Sequence, residues 1–484
     1  AGGLVVVFAR KREPRLPPPH PSPARGRGGL ALPAPRAPYP LRGEGWGEGQ
    51  RPTLFPYETP ESIWLEHRES TRGRDLDITG LSYTLLEAAS RQWPFPEGAT
   101  QGRERLYADG VFPTSDGKAR FAAVSYQPVA EPRDSRYPFS LTTGRLRDQW
   151  HGMSRTGTLG RLFGHVPEPV VQMHPQDIER RGLAEGELAH VTSKRGSILL
   201  PVQGSTELSP GQAFIAMHWG SEFVSGLSST GERLAGVNAI TTSAFCPTSK
   251  QPELKHAAVK ILKAEMPWTL LAAAWLPETE ALAAREQLQA LMPRFAFAAC
   301  VPFAGSVPLQ QAEGGTRTGV LFRAAAYEPP GEETVQRLEQ LLGLAGAEIL
   351  RYADKRKGQR RTIRVRPRES QLRIEGLLLA GDTSAGPWLK ALLVQELDAQ
   401  AHGRLLLAPG AKAPVALRQK GRQVCGCLGV DETAIRAHLA GAEGSTEERL
   451  ASLQAALGCG TSCASCVPEV WRIVRGGMPV AQVA

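Results

Sequence analysis

The sequence predicts several domains in series. A disordered amino-terminal segment leads into a mainly β unit of closed-barrel type, then an α+β region, then a small all-α module rich in cysteine. Three observations carry this. At 484 residues the chain exceeds one compact domain, and roughly two to four are expected. Its composition changes near residue 52, where Pro, Gly and Arg give way to apolar patterning. Its hydrophobic periodicity then passes from short strands to strand–helix alternation and ends in short amphipathic helices.

Residues 1–52 hold "PRLPPPHPSPARGRGGLALPAPRAPYPLRGEGWGEG". Such a segment buries too little apolar surface to offset its ordering entropy, so disorder is expected. From about residue 54, "ESIWLEHRESTRG" and "LSYTLLEAASRQ" predict short helices and "GKARFAAVSY" predicts a strand. "YPFSLTTGRLRDQWHG" runs from a strand into a Gly-Arg turn. A short helix closed by Gly182 follows, then two strands about the "SKRGS" turn and the strand "QAFIAMHWG". Strand–helix–turn–strand units of this kind suit a closed barrel better than an open parallel sheet.

Beyond residue 266, "WTLLAAAWL" and "FAFAACVPF" predict buried strands, and "ETVQRLEQLLGLAGA" an amphipathic helix. "RTIRVRPRESQLRIEGLLLAG" predicts a two-stranded ribbon. The run "RYADKRKGQRRTIRVR" could be a nucleic-acid patch. The alternation of Ile363 and Val365 with Arg364 and Arg366 instead favours outward, solvated strand faces. Net charge is +9, which equally suits an anionic cofactor or substrate. No run of about 18 apolar residues exists, so no membrane span is expected. No GxGxxG occurs near the ribbon, so no flavin or nicotinamide is assigned there.

Five of the seven cysteines fall in the last 60 positions. Cys425 and Cys427 form a Cys-x-Cys pair; Cys463 and Cys466 form a Cys-x-x-Cys pair after 35 intervening residues, with Cys459 just upstream. The spacer reads as two helices, one capped by Asp431 and one opened by a capping box from Ser445 to Glu448. A helical hairpin would return the second pair to the first. Four converging thiolates suit either zinc or an iron–sulfur centre. The odd count at ligand spacings argues for a reducing, cytoplasmic setting rather than disulfides. Cys246 and Cys300, each alone among apolar residues, are expected in the core.

The stretch "CGCLGV", the two helices and "GTSCASCVPEV" resemble the bacterioferritin-associated ferredoxin-like domain. That resemblance implies a 2Fe–2S cluster held by Cys425, Cys427, Cys463 and Cys466, with Cys459 left out, over residues 419–484. "LTTGRLRDQWHGMSRTG" and "GVNAITTSAFCPTSKQPELKHAAVKI" resemble the pterin-gripping segments of molybdenum oxidoreductases of the DMSO-reductase superfamily. "TRGRDLDITGLSYTLLE", "QWPFPEG" and "RLYADGVF" are similar to the segment that precedes this domain in assimilatory nitrate reductases. These likenesses imply a core remnant at 53–130 and a molybdopterin dinucleotide-binding domain at 131–265, a six-stranded double-psi barrel. The cofactor implied is molybdopterin guanine dinucleotide, as bis-MGD with molybdenum in the intact family. By position, Thr143, Gly144 and Arg145 would contact the dinucleotide, followed by Trp150 and His151, with Asn238 and Lys255 near the domain's end. A Thr-Gly-Arg turn offers a hydroxyl, an unhindered N–H and a guanidinium, which suit a pyrophosphate or pterin edge. His218 and Trp219 read as packing residues. Residues 266–418 are similar in part to the closing domain of nitrite reductases.

The family implies nitrate as substrate and nitrite as product, with electrons from a ferredoxin, a flavodoxin or an NADH-dependent reductase subunit. The resemblance departs in one respect: there is no cysteine before Cys246, so neither an amino-terminal 4Fe–4S motif nor a molybdenum-ligating cysteine is present. No catalytic residue is therefore assigned, and the expectation is a truncated catalytic subunit. Two rivals remain: a non-catalytic 2Fe–2S electron-transfer or scaffold protein, or a molybdopterin oxidoreductase for another substrate such as formate.

Overall fold

The computed structural model describes residues 57–304, 317–346, 348–368, 371–412 and 421–476. The expectation for residues 1–52 lies outside them. The chain divides into two compact units, one ending at Gln127 and the other beginning at Pro128.

In the first unit, α1 (Pro60–Glu69) starts where the Thr59 hydroxyl accepts the Ser62 N–H and Pro60 presets the first helical φ. Ser82 caps α2 (Tyr83–Ala88) in the same way. Neither helix buries a residue, though Trp64 and Tyr83 meet at 5.3 Å. The strand expected at 117–126 does not form, apart from a single bridge residue at Phe121. Its apolar side chains Phe121, Val124 and Tyr126 are exposed. Alternating residues make a strand only where a neighbour supplies the ladder.

The second unit opens with β1 (Phe139–Gly144), β2 (Val171–Met173), α3 (Pro175–Arg180), β3 (Leu188–Thr192), β4 (Ser197–Gly204), β5 (Gln212–Ala216), β6 (Val224–Leu227), β7 (Arg233–Leu234) and β8 (His256–Lys263). Six of these close a barrel in the order β1–β5–β2–β4–β3–β8, as expected. The pairs β1·β5 and β2·β4 are parallel. β4 is buried at every position from Ser197 to Val202, which explains its unbroken apolar run: both of its faces are covered.

A second sheet follows, from β9 (Trp268–Pro277), α4 (Glu278–Leu291), β10 (Phe297–Phe303), β11 (Arg317–Ala326), α5 (Glu332–Leu341), β12 (Ile349–Asp354), β13 (Gln359–Arg368), β14 (Gln371–Ala380) and α6 (Gly386–Val394). Its order is β12–β13–β14–β9–β11–β10–β6–β7. β6 and β7 thus leave the barrel segment to extend the neighbouring sheet, with Gly226 opposite Phe297. The expected ribbon is β13·β14, antiparallel and continued on both sides.

The basic run is solvated as expected at Lys355, Arg356, Lys357 and Arg366, which are exposed, but not throughout. Arg361 is 1% exposed and donates to the Ala408 carbonyl at 2.7 Å and to Asp382 at 2.8 Å. Arg364 donates to the Gly343 and Trp275 carbonyls, and Arg360 pairs with Glu332 and Glu339. Arg361 and Arg364 are internal struts rather than part of that solvated face, since their guanidiniums satisfy carbonyls and a carboxylate that burial has stripped of water.

The two sheets are pinned by Glu168, which meets Lys390 of α6 at 2.6 Å and Arg323 of β11 at 3.7 Å. Burial pushes the Glu168 carboxyl up, but the two cations outweigh it and hold the group at about 2. Glu168→Ala leaves two cations in a largely buried site without their anion and is expected to cost about 3 kcal/mol. A thermal unfolding midpoint unchanged from wild type would contradict this.

The tail contains β15 (Gln423–Cys425), β16 (Val430–Asp431), α7 (Glu432–Leu439), α8 (Thr446–Leu457) and α9 (Val467–Gly476). Both predicted caps are present: Asp431 accepts the Ala434 N–H at 2.9 Å, and Ser445 and Glu448 exchange bonds. Val424, Ile435, Leu453, Val470 and Val474 make a small core beneath them. Among the described residues no helix is long and apolar enough to cross a membrane.

Candidate cofactor site

β1 alternates, burying Phe139, Leu141 and Thr143 on one face. Thr143 therefore shares the interior face at the strand's end, and its hydroxyl oxygen, buried, has no hydrogen-bond partner. The parallel register sets Thr143 beside Ile215 and Gly144 beside Ala216, and the Met217 N–H then donates to the Gly144 carbonyl at 2.9 Å. On the other side β8 pairs His256 with Thr142. Lys255, one residue earlier and exposed, lies at the level of Thr143.

The loop after β1 is braced from within. Gln149, 4% exposed, donates to the Leu162 carbonyl at 3.1 Å and accepts from Thr156 at 2.6 Å. Thr156 in turn accepts the Trp150 N–H at 3.1 Å. These bonds hold out an exposed cluster in which the Arg145 guanidinium lies 5.7 Å from the Trp150 ring and Trp150 meets His151 edge-on at 5.3 Å. Asn238 is exposed in the short turn Val237–Ala239. That turn is drawn to the strand end by Gly236, whose φ of 78° only glycine tolerates easily and where a Cβ would meet the Trp219 carbonyl at 2.9 Å. Thr143 to His151 are thus contiguous around the end of β1, with Lys255 beside them and Asn238 near Trp219.

Trp219 packs as expected, against Phe163 at 6.1 Å and Phe223 at 6.0 Å. His218 is buried next to it in the chain. It is 1% exposed, and neither ring nitrogen has a hydrogen-bond partner. Thr143, His218 and the Trp219 indole N–H are thus orphaned buried polar groups at one strand end. Native interiors rarely tolerate these, and this polar lining fits the heterocycle and hydroxyl groups of a dinucleotide.

The cysteines also converge. Cys427 and Cys463 lie 3.1 Å apart, sulfur to sulfur. Cys425 is buried close to both Cys466 and Cys459, so Cys459 is not set apart as the resemblance implied. Burial, with Cys425 and Cys466 nearby, pushes the Cys459 thiol up to about 12. Burial, with Cys425 nearby, pushes Cys466 up to about 11. Hydrogen bonds from Ser465 and Cys427 draw Cys463 down, whereas the bond to Cys463 raises Cys427. Among the described residues no three His, Cys, Asp or Glu side chains surround a single ion position. The thiols thus gather as one pair, Cys427 with Cys463, and one group of three, Cys425 with Cys459 and Cys466.

Of the lone cysteines, Cys300 is fully buried, as expected. Cys246 is not in the core. It sits half-buried in a loop, where its sulfur accepts the Ser249 N–H at 3.4 Å. The tight turn about "CPTSKQ", in which the Lys250 N–H reaches back to the Cys246 carbonyl, keeps it near the surface.

The tail docks on the loop after β1, a contact that sequence alone did not suggest. Glu469, in the first turn of α9, pairs with Arg147 at 2.6 Å, with Arg422, and with His165 at 3.4 Å. Arg147 also pairs with Asp148 at 2.8 Å. The Arg161 guanidinium donates to the Cys427 carbonyl at 3.2 Å. A Cβ on Gly426 would lie 3.1 Å from the Asp148 carboxylate, so glycine between the two cysteines permits this approach. Burial pushes the Glu469 carboxyl up, yet the His165 hydrogen bond and the Arg422 and Arg147 charges leave it below the usual carboxylate range.

Comparison with known proteins finds the following likenesses. Residues 139–258 match the Molydopterin dinucleotide binding domain. A nitrate reductase from Klebsiella oxytoca is 29% identical over 438 residues, covering 86% of this chain and 43% of that protein. A nitrate reductase from Synechocystis sp. (strain ATCC 27184 / PCC 6803 / Kazusa) is 36% identical over 212 residues, covering 43% of this chain and 29% of that protein. The chain thus spans less than half the length of these curated relatives. Among solved structures, acetylene hydratase from Pelobacter acetylenicus aligns with a TM-score of 0.22 and 20% identity, over 26% of this chain and 18% of that one. That score is too low to relate the two folds.

Proposed function

We propose, on the premise that residues 139–258 are a molydopterin dinucleotide binding domain, that this chain is the electron-receiving portion of a molybdenum-dependent nitrate reductase. The single observation that carries the reading is the docking of the cysteine loop on the loop that follows Thr143–Gly144, through Arg147, Asp148 and Glu469. One-electron carriers exchange electrons only over short distances, and the contacts of Glu469 with Arg147 and of the Cys427 carbonyl with Arg161 support such proximity. The nitrate reductase relatives support nitrate as the substrate class.

Bound there, the dinucleotide would supply the ligands of a molybdenum centre, and a 2Fe–2S cluster one-electron storage. The chain's own residues do the rest. Thr143, Gly144 and Arg145 hold the anionic dinucleotide, with Trp150 and His151 walling it, and Asn238 and Lys255 reach it from neighbouring loops. Cys425, Cys427, Cys463 and Cys466 hold the irons. The electron donor is a ferredoxin, a flavodoxin or an NADH-dependent reductase subunit, meeting the exposed Cys463 side of the tail.

Anaerobic purification followed by iron, sulfide, zinc and guanine analysis tests this. About two irons and two sulfides per chain are expected, with guanine in the same fractions and an EPR signal on reduction. Zinc in place of iron refutes the cluster. Iron without guanine favours the rival electron-transfer protein instead.

A further inference from the structure

Resting on that reading, we propose that His218, together with Thr143, forms the buried recognition end of the dinucleotide site and grips the amide edge of its guanine or pterin ring. The imidazole lies past the end of β5, where Met217 is tied to Gly144, so it stands behind the turn that carries Arg145. Arg145 and His151 are the charged and titratable groups that face it. The Trp150 main chain also lies near, but neither ring nitrogen makes a hydrogen bond of normal geometry. Burial, helped by the Arg145 and His151 charges, holds the ring below the usual histidine range and hence neutral.

A neutral imidazole carries a donor and an acceptor on opposite sides of its ring, so one of its nitrogens can reach a given ligand edge. Guanine and pterin rings share a lactam edge with an acceptor and a donor side by side, which one His218 nitrogen and the Thr143 hydroxyl can divide between them. Within the protein the Thr143 hydroxyl and both His218 ring nitrogens lack a hydrogen-bond partner, and such unpaired burial destabilises the empty fold. This predicts a signature that distinguishes recognition from packing. A packing histidine stabilises the empty protein, whereas a recognition histidine costs the empty protein and stabilises the loaded one.

The test uses the full chain purified anaerobically, with guanine and oxidised pterin released and quantified per chain. His218→Phe keeps the shape and removes both nitrogens; His218→Gln keeps a donor and an acceptor; Thr143→Val is an independent variant. His218→Phe and Thr143→Val are expected to retain about tenfold less dinucleotide, the effect of one net hydrogen bond, and His218→Gln more than His218→Phe. After the dinucleotide is stripped, the unfolding midpoint of His218→Phe is expected to equal or exceed that of wild type. Full retention by His218→Phe overturns the proposal. So does a lowered midpoint in the stripped variant, which marks a structural histidine. A wild-type chain carrying neither guanine nor pterin fails the underlying function, and this proposal with it. Loaded wild type with equally loaded variants fails this proposal alone.

Discussion

On the proposed 2Fe–2S assignment, Cys463→Ser is expected to remove the visible absorption of the purified protein and nearly all of the iron. Cys463 is the most exposed thiol of the group, touching Cys427 at 3.1 Å and Ser465 at 3.1 Å. A serine oxygen is a poor ligand for iron, and a binuclear cluster depends on four thiolates. Cys466→Ser should behave alike. Cys459→Ser is the sharper comparison, because Cys459 lies as deep as Cys466 and beside the same partner, Cys425. Iron retained in Cys459→Ser and lost in Cys466→Ser supports the proposed ligand set. The reverse outcome would exchange the two cysteines.

The second large effect belongs to Glu469. Its side chain is 10% exposed, as against 19% for Arg147 and 16% for His165. Arg422 and Arg472 are 43% and 55% exposed, and water screens their share. Glu469→Gln keeps the shape while withdrawing the charge that Arg147 and His165 face. The docking of the tail should weaken by about 2 kcal/mol, or roughly thirtyfold. Amide exchange at Gly426–Cys427 and across the Arg147–Arg161 loop would rise together, and unchanged exchange at both sites defeats the prediction. Because the folded carboxyl sits below its unfolded value, its stabilisation is complete above the unfolded carboxylate range. It fades as pH falls through the folded pKa. The same exchange should therefore increase in wild-type protein below about pH 4, and Glu469→Gln should lose much of that dependence.

Much of the tail was legible locally. Asp431 and the Ser445–Glu448 pair announced their helix starts because a cap is a contact within four residues. The spacing of Cys425, Cys427, Cys463 and Cys466 then required only that those helices fold back. The barrel strands were equally readable from their apolar runs. Of the β13 arginines, Arg366 is exposed as expected, while Arg361 and Arg364 misled because alternation shows which side chains share a face, not what covers that face.

The sequence by itself determined the order of modules, most of their strands and helices, the Thr143–Arg145 turn and the thiol donors, since each depends on neighbours along the chain. Only the tertiary structure decided that β6 and β7 join the second sheet, that Glu168 pins the two sheets together, and that Glu469 docks the tail on Arg147, 322 residues away. It also showed that His218 stands buried with unpaired nitrogens. These are partnerships between distant residues, and burial decides their strength by excluding the water that would otherwise pair with each group.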